Sequence, residues 1–435
     1  MRKILVFLVL TFLFLPFCGG KRVPNRIKVI LLGFDGADWD FIEPLMEEGY
    51  LPHFRKLREE GAWARLRSMK PTLSAVIWTT IATGKRMEKH GIVDWLYVKK
   101  HGIKVPYNSS ERREPAIWEI LTEYNKTSAV INWFVTFPPD HIKGIMVSSA
   151  MRDYVFPRKK KKLLRQAVYP PRYFPLIEKC MVWNFQAALR EMGIPDYRKM
   201  AREMGRDPSK LPIISSFRVF VLMEKFTENV GEVLWKKGDY DLFALYFRWP
   251  DVTTHFAGMF IKDRELVRRA LEQVRTRHKL DPDLRRRLDR EDAHVLLPVY
   301  RYLDRILGRY IERAEEKGAY LIVLSDHGFD LGPNGYNHEL PDWMEPPLGI
   351  LGIMGPGVKK GYELKDATVY DIAPTLLYLF NLPIGRDMDG KPLMGAFKFS
   401  RKLRYRRYYR RKFIKKHIKE LDQDTLKELK SLGYI

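Results

Sequence analysis

Three apolar runs, each ending at or shortly before an aspartate, constrain the fold of this chain more than any other feature. They read VILLGFDG (29–36), LFALYFRWPD (242–251) and LIVLSDHG (321–328). Continuous runs of Val, Ile, Leu and Phe are typical of strands buried on both faces of a sheet. Because segments with helical spacing lie between these runs, the sequence predicts an α/β fold with an open, mostly parallel central sheet covered by helices on both faces.

The rest of the chain continues this alternation, with one exception. Further strands are predicted at 128–137, 144–150 and 349–357, and helices at 41–60, from Ser74 onward, at 217–237, at 292–317 and at 370–382. From about 151 to 212, prolines, aromatic residues and basic residues mix without a clean period, which predicts an insert or cap rather than sheet. We therefore divide the chain into a leader (1–20), a main α/β domain that contains the insert (21–395) and a basic C-terminal tail (396–435).

The N-terminus resembles a bacterial lipoprotein signal. A basic start precedes an apolar run from Ile4 to Phe17, and Cys18 follows directly. The run is too short to cross a bilayer comfortably and has the length of a signal-peptide core. Phe17 is larger than the residue usual at that position, so a lipid anchor on Cys18 and an uncleaved N-terminal anchor both stay open. We expect export, to the periplasm or the outer face of a membrane. With Cys18 processed, Cys180 has no partner, and no disulfide framework is implied.

The basic residues are concentrated in two places. The net charge is +24, and the excess falls mainly in RKKKK (158–162) and in the segment 400–419. A solvated surface, contact with an anionic membrane and contact with nucleic acid are the three interpretations, and nucleic acid is the least favoured. Composition adds that the chain is globular, because 46% of its residues are hydrophobic.

Carboxylates and imidazoles follow the predicted strands. Ligands of open α/β sheets bind beyond the carboxyl ends of the strands, and the candidates at those ends are Asp35, Asp251, His255, Asp326, His327 and, shortly afterwards, His338. Each alone has a structural explanation as a turn residue, a helix cap or part of a polar loop. Together they form the ligand set of zinc-type metals in hydrolytic sites, and six ligands fit two ions rather than one.

The segment KPTLSAVIWTTIATGK (70–85) places Ser74 where a turn gives way to a helix. A serine there is either an ordinary helix cap or a nucleophile, since a hydroxyl at a helix N-terminus lies in the positive field of the helix dipole and beside free backbone N–H groups. Thr72, Thr79 and Thr80 are rival hydroxyls in the same segment. Thr79 and Thr80 fall inside the predicted helix, which favours Ser74.

The ordered set of motifs resembles the alkaline phosphatase superfamily and, within it, the type I phosphodiesterase/nucleotide pyrophosphatase branch. The resemblance covers roughly residues 27 to 395 and is carried by GFDG, PTLSAVIWTTIATG with the later KHGI, DVTTH, LIVLSDHGF and the late His338. It implies a phosphoric ester hydrolase with two divalent ions and Ser74 as nucleophile. One ion would be held by Asp35, Ser74, Asp326 and His327, and the other by Asp251, His255 and His338.

Further expectations complete this hypothesis. The three histidines favour zinc, with manganese or iron as alternatives, and the backbone N–H of Ala75 could donate to a phosphate oxygen. Diesters are expected to be preferred over monoesters. The basic run at 158–162 could attract anionic headgroups, which makes a lipid-linked phosphodiester one expected substrate. A phosphomonoesterase of the same fold and a metal-free binding protein are the alternatives.

One departure affects substrate choice. Trp95 stands where nucleotide pyrophosphatases carry an asparagine that binds a phosphate oxygen, so nucleotide specificity does not follow from the resemblance. Trp95 either stacks on a substrate group or is a packed core aromatic. A sulfatase is disfavoured because Ala75 and the residues after it do not supply the proline and arginine that sulfatases need after the modified residue. A mutase suits an exported protein poorly.

Overall fold

A computed structural model describes residues 28–98, 104–155, 161–211 and 216–411, together with residue 214. The leader with Cys18, part of the basic run at 158–162 and residues 412–435 of the basic tail lie outside the described residues. Within the described ranges, no helix combines the length and the apolar character needed to cross a bilayer.

Fifteen strands alternate with helices along the described chain. In chain order the strands are β1 (Val29–Phe34), β2 (Ala62–Leu66), β3 (Leu96–Val98), β4 (Lys104–Pro106), β5 (Ser128–Ile131), β6 (Gly144–Val147), β7 (Val168–Tyr169), β8 (Leu242–Phe247), β9 (Tyr320–Leu324), β10 (Asp330–Gly332), β11 (Gly335–Asn337), β12 (Gly349–Met354), β13 (Tyr362–Glu363), β14 (Ile384–Gly385) and β15 (Tyr405–Arg406). The α-helices are Trp39–Glu47, Pro52–Glu60, Ser74–Thr83, Met87–His90, Ile117–Glu123, Lys161–Gln166, Phe174–Glu178, Phe185–Met192, Tyr197–Glu203, Phe217–Lys237, Asp251–Ala257, Arg264–Arg277, Pro282–Lys317 and Ile372–Leu379.

The central sheet has nine strands in the order β13-β2-β12-β9-β1-β8-β5-β6-β7. The five strands from β9 to β6 run parallel to one another, which confirms the predicted mostly parallel sheet. The strand predicted at 349–357 is present as β12 but runs antiparallel to both of its neighbours. Direction could not be read from its sequence, because an apolar run buried on both faces looks the same in either orientation.

Both faces of the sheet are covered, as predicted. Along β1, Ile30 and Leu32 belong to the apolar core on one face, whereas Val29 and Leu31 belong to the core on the other. Successive side chains of a strand point to opposite faces, so a strand without a polar face requires two covering layers. In the strand order, β1 is the fifth of nine strands. Its carboxyl end, where Asp35 lies, is therefore at the middle of the sheet edge.

Among the predicted elements, three differ most in their bounds from the structure. The helix predicted at 41–60 is two helices, because Gly49 adopts a left-handed φ of 83° and Pro52 begins the second helix. The strand predicted at 128–137 ends at Ile131, where Asn132 takes a left-handed φ of 57°. The helix predicted at 292–317 begins earlier, at Pro282, after Asp281 caps it through the N–H groups of its first turn.

The segment at 151–212 is mostly helical, but one part of it is sheet. Val168 and Tyr169 form β7, which pairs antiparallel with Met146 and Val147 at the edge of the central sheet. The expectation of no sheet in this segment is therefore wrong at β7. A two-residue strand carries no readable period, so only its pairing with a distant segment reveals it.

The described part of the basic tail lies against the domain. Tyr405 and Arg406 form β15 beside β14, and the Tyr409 hydroxyl is buried and donates to the carbonyl of Pro383. Arg411 then enters a group that we call the Arg411 cluster, which consists of Arg112, Glu119, Asp140 and Arg411. The Arg411 side chain is 8% exposed and donates to Asp140 Oδ1 at 2.7 Å and to Glu119 Oε1 at 3.1 Å.

Candidate metal centre and nucleophile

Asp35 lies just beyond the carboxyl end of β1 and is fully buried. The Tyr246 hydroxyl and the Trp78 indole N–H, the latter at 3.2 Å, both donate to its Oδ2. Its Oδ1 is 3.5 Å from Ser74 Oγ and 3.5 Å from His327 Nε2. One carboxylate therefore has one oxygen fixed by aromatic donors and the other directed at the predicted nucleophile and at a predicted metal ligand.

Asp326 and His327 follow β9, the strand beside β1. Asp326 Oδ1 accepts from the Gly36 N–H at 3.3 Å, and its Oδ2 is 3.4 Å from His327 Nε2. His327 Nδ1 faces the carbonyl of Gly328 at 3.0 Å, so Nδ1 carries the proton and Nε2 offers a lone pair. Among the residues that the structure describes, Asp326 Oδ2 and His327 Nε2 form no hydrogen bond although they are buried.

The second half of the centre is built on the helix Asp251–Ala257, which follows β8. Asp251 begins this helix, and His255 lies one turn later on the same face, with Nε2 at 3.4 Å from Asp251 Oδ1. His338 Nε2 is 3.5 Å from the same oxygen, and its Nδ1 donates to the carbonyl of Thr72 at 2.8 Å. This hydrogen bond leaves Nε2 of His338 available, which is the usual arrangement for a ligating histidine.

The structure brings all six predicted ligand side chains together, although it groups them differently from the prediction. Ligand atoms of Asp35, Asp326 and His327 lie within 4.8 Å of one another, and so do those of Asp251, His327 and His338. His327 therefore belongs to both groups, with its ring stacked on that of His338 at a centroid distance of 3.9 Å. His255 is a neighbour of Asp251 and lies outside the second compact group.

The electrostatics of the cluster show a shortage of positive charge. Burial, with repulsion from Asp251, raises the pKa of Asp35 to about 7. Burial and the Asp35 carboxylate raise the pKa of Asp326 well above its ordinary value, and burial lowers the pKa of His327 to about 4. A bound divalent cation would favour the ionised forms of Asp35 and Asp326, against the effect of burial, and would favour neutral His327, as burial already does.

The donor set fits divalent metal ions. Three buried atoms without hydrogen bonds to any described residue are Asp251 Oδ1, Asp326 Oδ2 and His327 Nε2. Leaving such atoms unpaired in the interior costs about 1–3 kcal/mol each, more for charged groups. Carboxylate oxygen and imidazole nitrogen are ligands of zinc, manganese and iron, and the identity of the metal stays a prediction.

Ser74 begins the helix Ser74–Thr83 and is buried, with its hydroxyl toward Asp35. The hydroxyls of two rivals are engaged elsewhere: Thr79 donates to the carbonyl of Ala75 at 2.7 Å, and Thr80 Oγ1 lies 3.0 Å from His90 Nε2. Thr72 contributes its carbonyl to His338. The position of Ser74 fits a nucleophile, and that role stays a prediction.

The two predicted substrate-binding positions differ in their distance from the centre. Ala75 is the second residue of the Ser74 helix, where the backbone N–H has no partner within the helix. Trp95 is partly buried and meets Phe134 edge-on at 5.5 Å, and Phe134 in turn meets Tyr246 at 5.0 Å. Two ring contacts therefore link Trp95 to Tyr246, which donates to Asp35, and the role of Trp95 in substrate binding stays a prediction.

Sequence reasoning missed the two aromatic donors to Asp35. Trp78 lies one helical turn after Ser74, so the spacing would have placed both on one face of the helix. Tyr246 is the residue before the last of β8 and resembles any aromatic residue of an apolar strand. A tyrosine near the carboxyl end of a fully buried strand is the only signal that the sequence offered.

A family model described as type I phosphodiesterase / nucleotide pyrophosphatase matches residues 29–374. These residues include every side chain of the candidate centre. The match also spans the helix of Ser74 and both halves of the metal-ligand cluster.

A curated relative matches a shorter part of the chain, and two solved structures match most of it at low sequence identity. The 2,3-bisphosphoglycerate-independent phosphoglycerate mutase of Agrobacterium fabrum is 31% identical over 107 residues, which are 24% of this chain and 20% of the mutase. The match thus spans about a fifth of that relative. A solved 2-O GAG sulfatase is 10% identical with a TM-score of 0.52 over 86% of this chain and 74% of the other, which shows a shared fold alone. Human ectonucleotide pyrophosphatase / phosphodiesterase 5 is 14% identical with a TM-score of 0.49 over 86% of this chain and 100% of the other.

Proposed function

The chain belongs to the type I phosphodiesterase / nucleotide pyrophosphatase family of hydrolases, and from that premise we propose that it is an exported, metal-dependent phosphodiesterase with Ser74 as its nucleophile. One observation carries the proposal. The Ser74 hydroxyl lies at a helix N-terminus, 3.5 Å from Asp35, beside a cluster of carboxylates and imidazoles in which burial raises the pKa of Asp35.

The residues that would hold metal follow from the two halves of the centre. Asp35, Asp326 and His327, with Ser74, would bind one divalent ion, and Asp251, His255 and His338 would bind the other. Two such ions supply Lewis-acid charge that neutralises the phosphate oxygens and lowers the pKa of bound hydroxyl groups. Zinc is the first choice because of the three histidines.

The chain's own groups orient the serine and receive the phosphate. Tyr246 and Trp78 fix Oδ2 of Asp35. The other oxygen, Oδ1, therefore holds the Ser74 hydroxyl toward the metal-ligand candidates. Ser74 Oγ attacks phosphorus and gives its proton to water, a Ser74 O–P bond forms, and the bond from phosphorus to one ester oxygen breaks. The departing alkoxide takes a proton from water. The N–H of Ala75 and the dipole of its helix stabilise negative charge on a non-bridging oxygen.

The second step returns the enzyme to its starting state. A water molecule attacks phosphorus, the Ser74 O–P bond breaks, and the serine hydroxyl is restored as the phosphate monoester leaves. Because Ser74 and five of the six ligand side chains are buried, few other water molecules reach the intermediate.

Hydrolysis of two simple esters tests this proposal. Purified protein with added zinc or manganese would be assayed on bis-p-nitrophenyl phosphate and on p-nitrophenyl phosphate, beside Ser74→Ala. Diester turnover that disappears in the variant and with chelator supports the proposal. Faster monoester turnover would make the protein a phosphomonoesterase of the same site. Two bound ions without turnover of either ester would indicate a selective substrate pocket, and no bound ion would favour a binding protein.

Membrane contact and a lipid-linked substrate belong to the same proposal. Residues 400–411 of the tail carry four exposed basic side chains, and no salt bridge joins them to the described acidic residues: Lys402, Arg404, Arg407 and Arg410. Basic residues at a surface contribute about 1 kcal/mol each to binding an anionic leaflet. Leaderless protein should bind vesicles that contain anionic lipid and should bind zwitterionic vesicles much less. Replacing the four residues by glutamine without any loss of binding would refute the contact.

A further inference from the structure

A short hairpin separates two of the metal-ligand candidates. β10 and β11 pair antiparallel, with Asp330 opposite Asn337 and Leu331 opposite Tyr336. His327 lies just before this hairpin and His338 just after it. The position of His338 relative to His327 therefore depends on how the hairpin is held.

Both strands of the hairpin are tied to the long helix Pro282–Lys317. Arg285 on that helix donates through Nη1 to Asp330 of β10 and through Nε to Asp289 Oδ2 at 2.6 Å. The Tyr336 hydroxyl of β11 donates to Asp289 Oδ1 at 2.5 Å. One arginine thus holds β10 directly and β11 through Asp289, and we call Arg285, Asp289, Asp330 and Tyr336 the hairpin clamp.

The same helix contacts the other segments that carry ligand candidates. The Tyr300 hydroxyl accepts from the backbone N–H of Asp38, three residues after Asp35 in the same loop, at 3.3 Å. Asp38 Oδ2 in turn accepts from the N–H of Phe329 at 2.9 Å. The helix Asp251–Ala257 also packs on the long helix. The long helix Pro282–Lys317 is therefore tied to all three segments that carry ligand candidates.

We propose that the hairpin clamp positions His338 against His327 and thereby sets the affinity of the centre for its second metal ion. The inference rests on the proposed function, because it requires that the cluster bind metal. The clamp residues act through the two histidines and are positioning residues. Outer contacts of this kind fix the orientation of ligating side chains, and their loss typically weakens metal binding about 10–100-fold.

The chain offers a matched pair of variants. Tyr336→Phe removes one buried hydroxyl that donates to a carboxylate bound by arginine. Tyr302→Phe removes another on the long helix, where the Tyr302 hydroxyl donates to Glu228 at 3.2 Å and Arg309 binds the same glutamate at 2.6 Å. Glu228 belongs to the helix Phe217–Lys237, so this control leaves the hairpin untouched.

Zinc binding to the full chain, stripped of metal, would be measured by competition with a chromophoric chelator. We expect each protein to bind two equivalents of zinc. The dissociation constant of the weaker ion should rise about 10-fold or more in Tyr336→Phe and should not change in Tyr302→Phe. Activity of Tyr336→Phe should return at excess zinc. Wild-type affinities in Tyr336→Phe, or equal losses in both variants, would overturn the proposal.

A second measurement separates this inference from the proposed function. If the wild-type protein binds no zinc, metal dependence fails, and hydrogen–deuterium exchange of residues 328–338 in the metal-free proteins then decides the role of the clamp. Faster exchange of this segment in Tyr336→Phe than in Tyr302→Phe supports positioning of the hairpin. Equal exchange in the two variants overturns it.

Discussion

The metal-ligand cluster and the Arg411 cluster both bury carboxylates, but only one of them contains its own positive charge. Asp140 in the Arg411 cluster is bound by Arg112 at 2.6 Å and by Arg411 at 2.7 Å. Burial would raise the pKa of Asp140, but these two guanidinium groups bring it below its usual range. Among the described residues, no lysine or arginine forms a salt bridge with Asp326 of the metal-ligand cluster, and the pKa of Asp326 is raised.

The difference distinguishes a cluster whose charges are paired within the chain from a candidate functional site. Two arginines and two carboxylates complete the Arg411 cluster within the chain, so nothing further is needed to stabilise it. The metal-ligand cluster leaves buried oxygen and nitrogen lone pairs unused among the described residues, and an ion from solution can complete it. The following predictions test this contrast, from the largest expected effect to the smallest.

Replacing the nucleophile tests whether the incomplete cluster carries chemistry. Ser74→Ala should lower kcat by about 10⁴-fold or more, which corresponds to more than about 5 kcal/mol of transition-state stabilisation. Bound zinc should stay near two equivalents, because the carboxylate and imidazole ligands remain. The measurement is ester hydrolysis beside zinc analysis of the same sample. Substantial turnover in this variant would show that another group is the nucleophile.

The same substitution in the two clusters should have different effects on the metal-free protein. Asp140→Asn should lower the free energy of unfolding by about 3–5 kcal/mol, because Arg112 and Arg411 lose a buried partner. Asp326→Asn should leave it unchanged or raise it, because one of three mutually repelling carboxyl groups becomes neutral. Urea unfolding of both variants without metal measures this. Equal losses of unfolding free energy in the two variants would show that the two clusters do not differ in this way.

Removing metal should affect only the incomplete cluster. At free zinc about 100-fold above its dissociation constant, binding should stabilise the wild-type protein by about 2.7 kcal/mol. A chelator should abolish this gain, and in Asp326→Asn the chelator should change the melting temperature much less. Thermal unfolding with and without chelator provides the measurement. A wild-type melting temperature that is the same with and without chelator would contradict metal binding.

A conservative change in the Arg411 cluster gives the smallest expected effect. Arg411→Lys keeps the charge but cannot reproduce the contacts to Glu119 and Asp140 together with those to two backbone carbonyls. The loss should be about 1.5 kcal/mol, with kcat unchanged. Arg410→Lys is the matched control, since Arg410 is exposed. Equal stability of the two variants in urea would show that the cluster needs only a charge.

The sequence predicts the parts of the fold that depend on local pattern. The apolar runs that became β1, β8 and β9 end sharply at polar residues, so the strands and the carboxylates at their ends were readable together. The helix beginning at Ser74 was also predicted, and the structure places it at Ser74–Thr83.

Features that depend on distant pairing were not readable. The antiparallel direction of β12 is set by its neighbours β9 and β2 rather than by its own residues. The hairpin clamp joins Arg285 and Asp289 to residues some 45 positions away, and no spacing rule connects them. Nor could the shared position of His327 be read, because it arises from ring stacking on His338.

Arg411 also ties completion of the fold to the order of synthesis. It is made 271 residues after Asp140, so a growing chain carries Asp140 and Glu119 with Arg112 alone until the strand β15 and the residues after it have emerged. Domains generally fold as units during synthesis, and among the described residues the last ionic contact along the chain is the one that Arg411 makes. A chain cut short before Arg411 would retain an uncompensated buried carboxylate, and such a product should be unstable and readily degraded by cellular proteases.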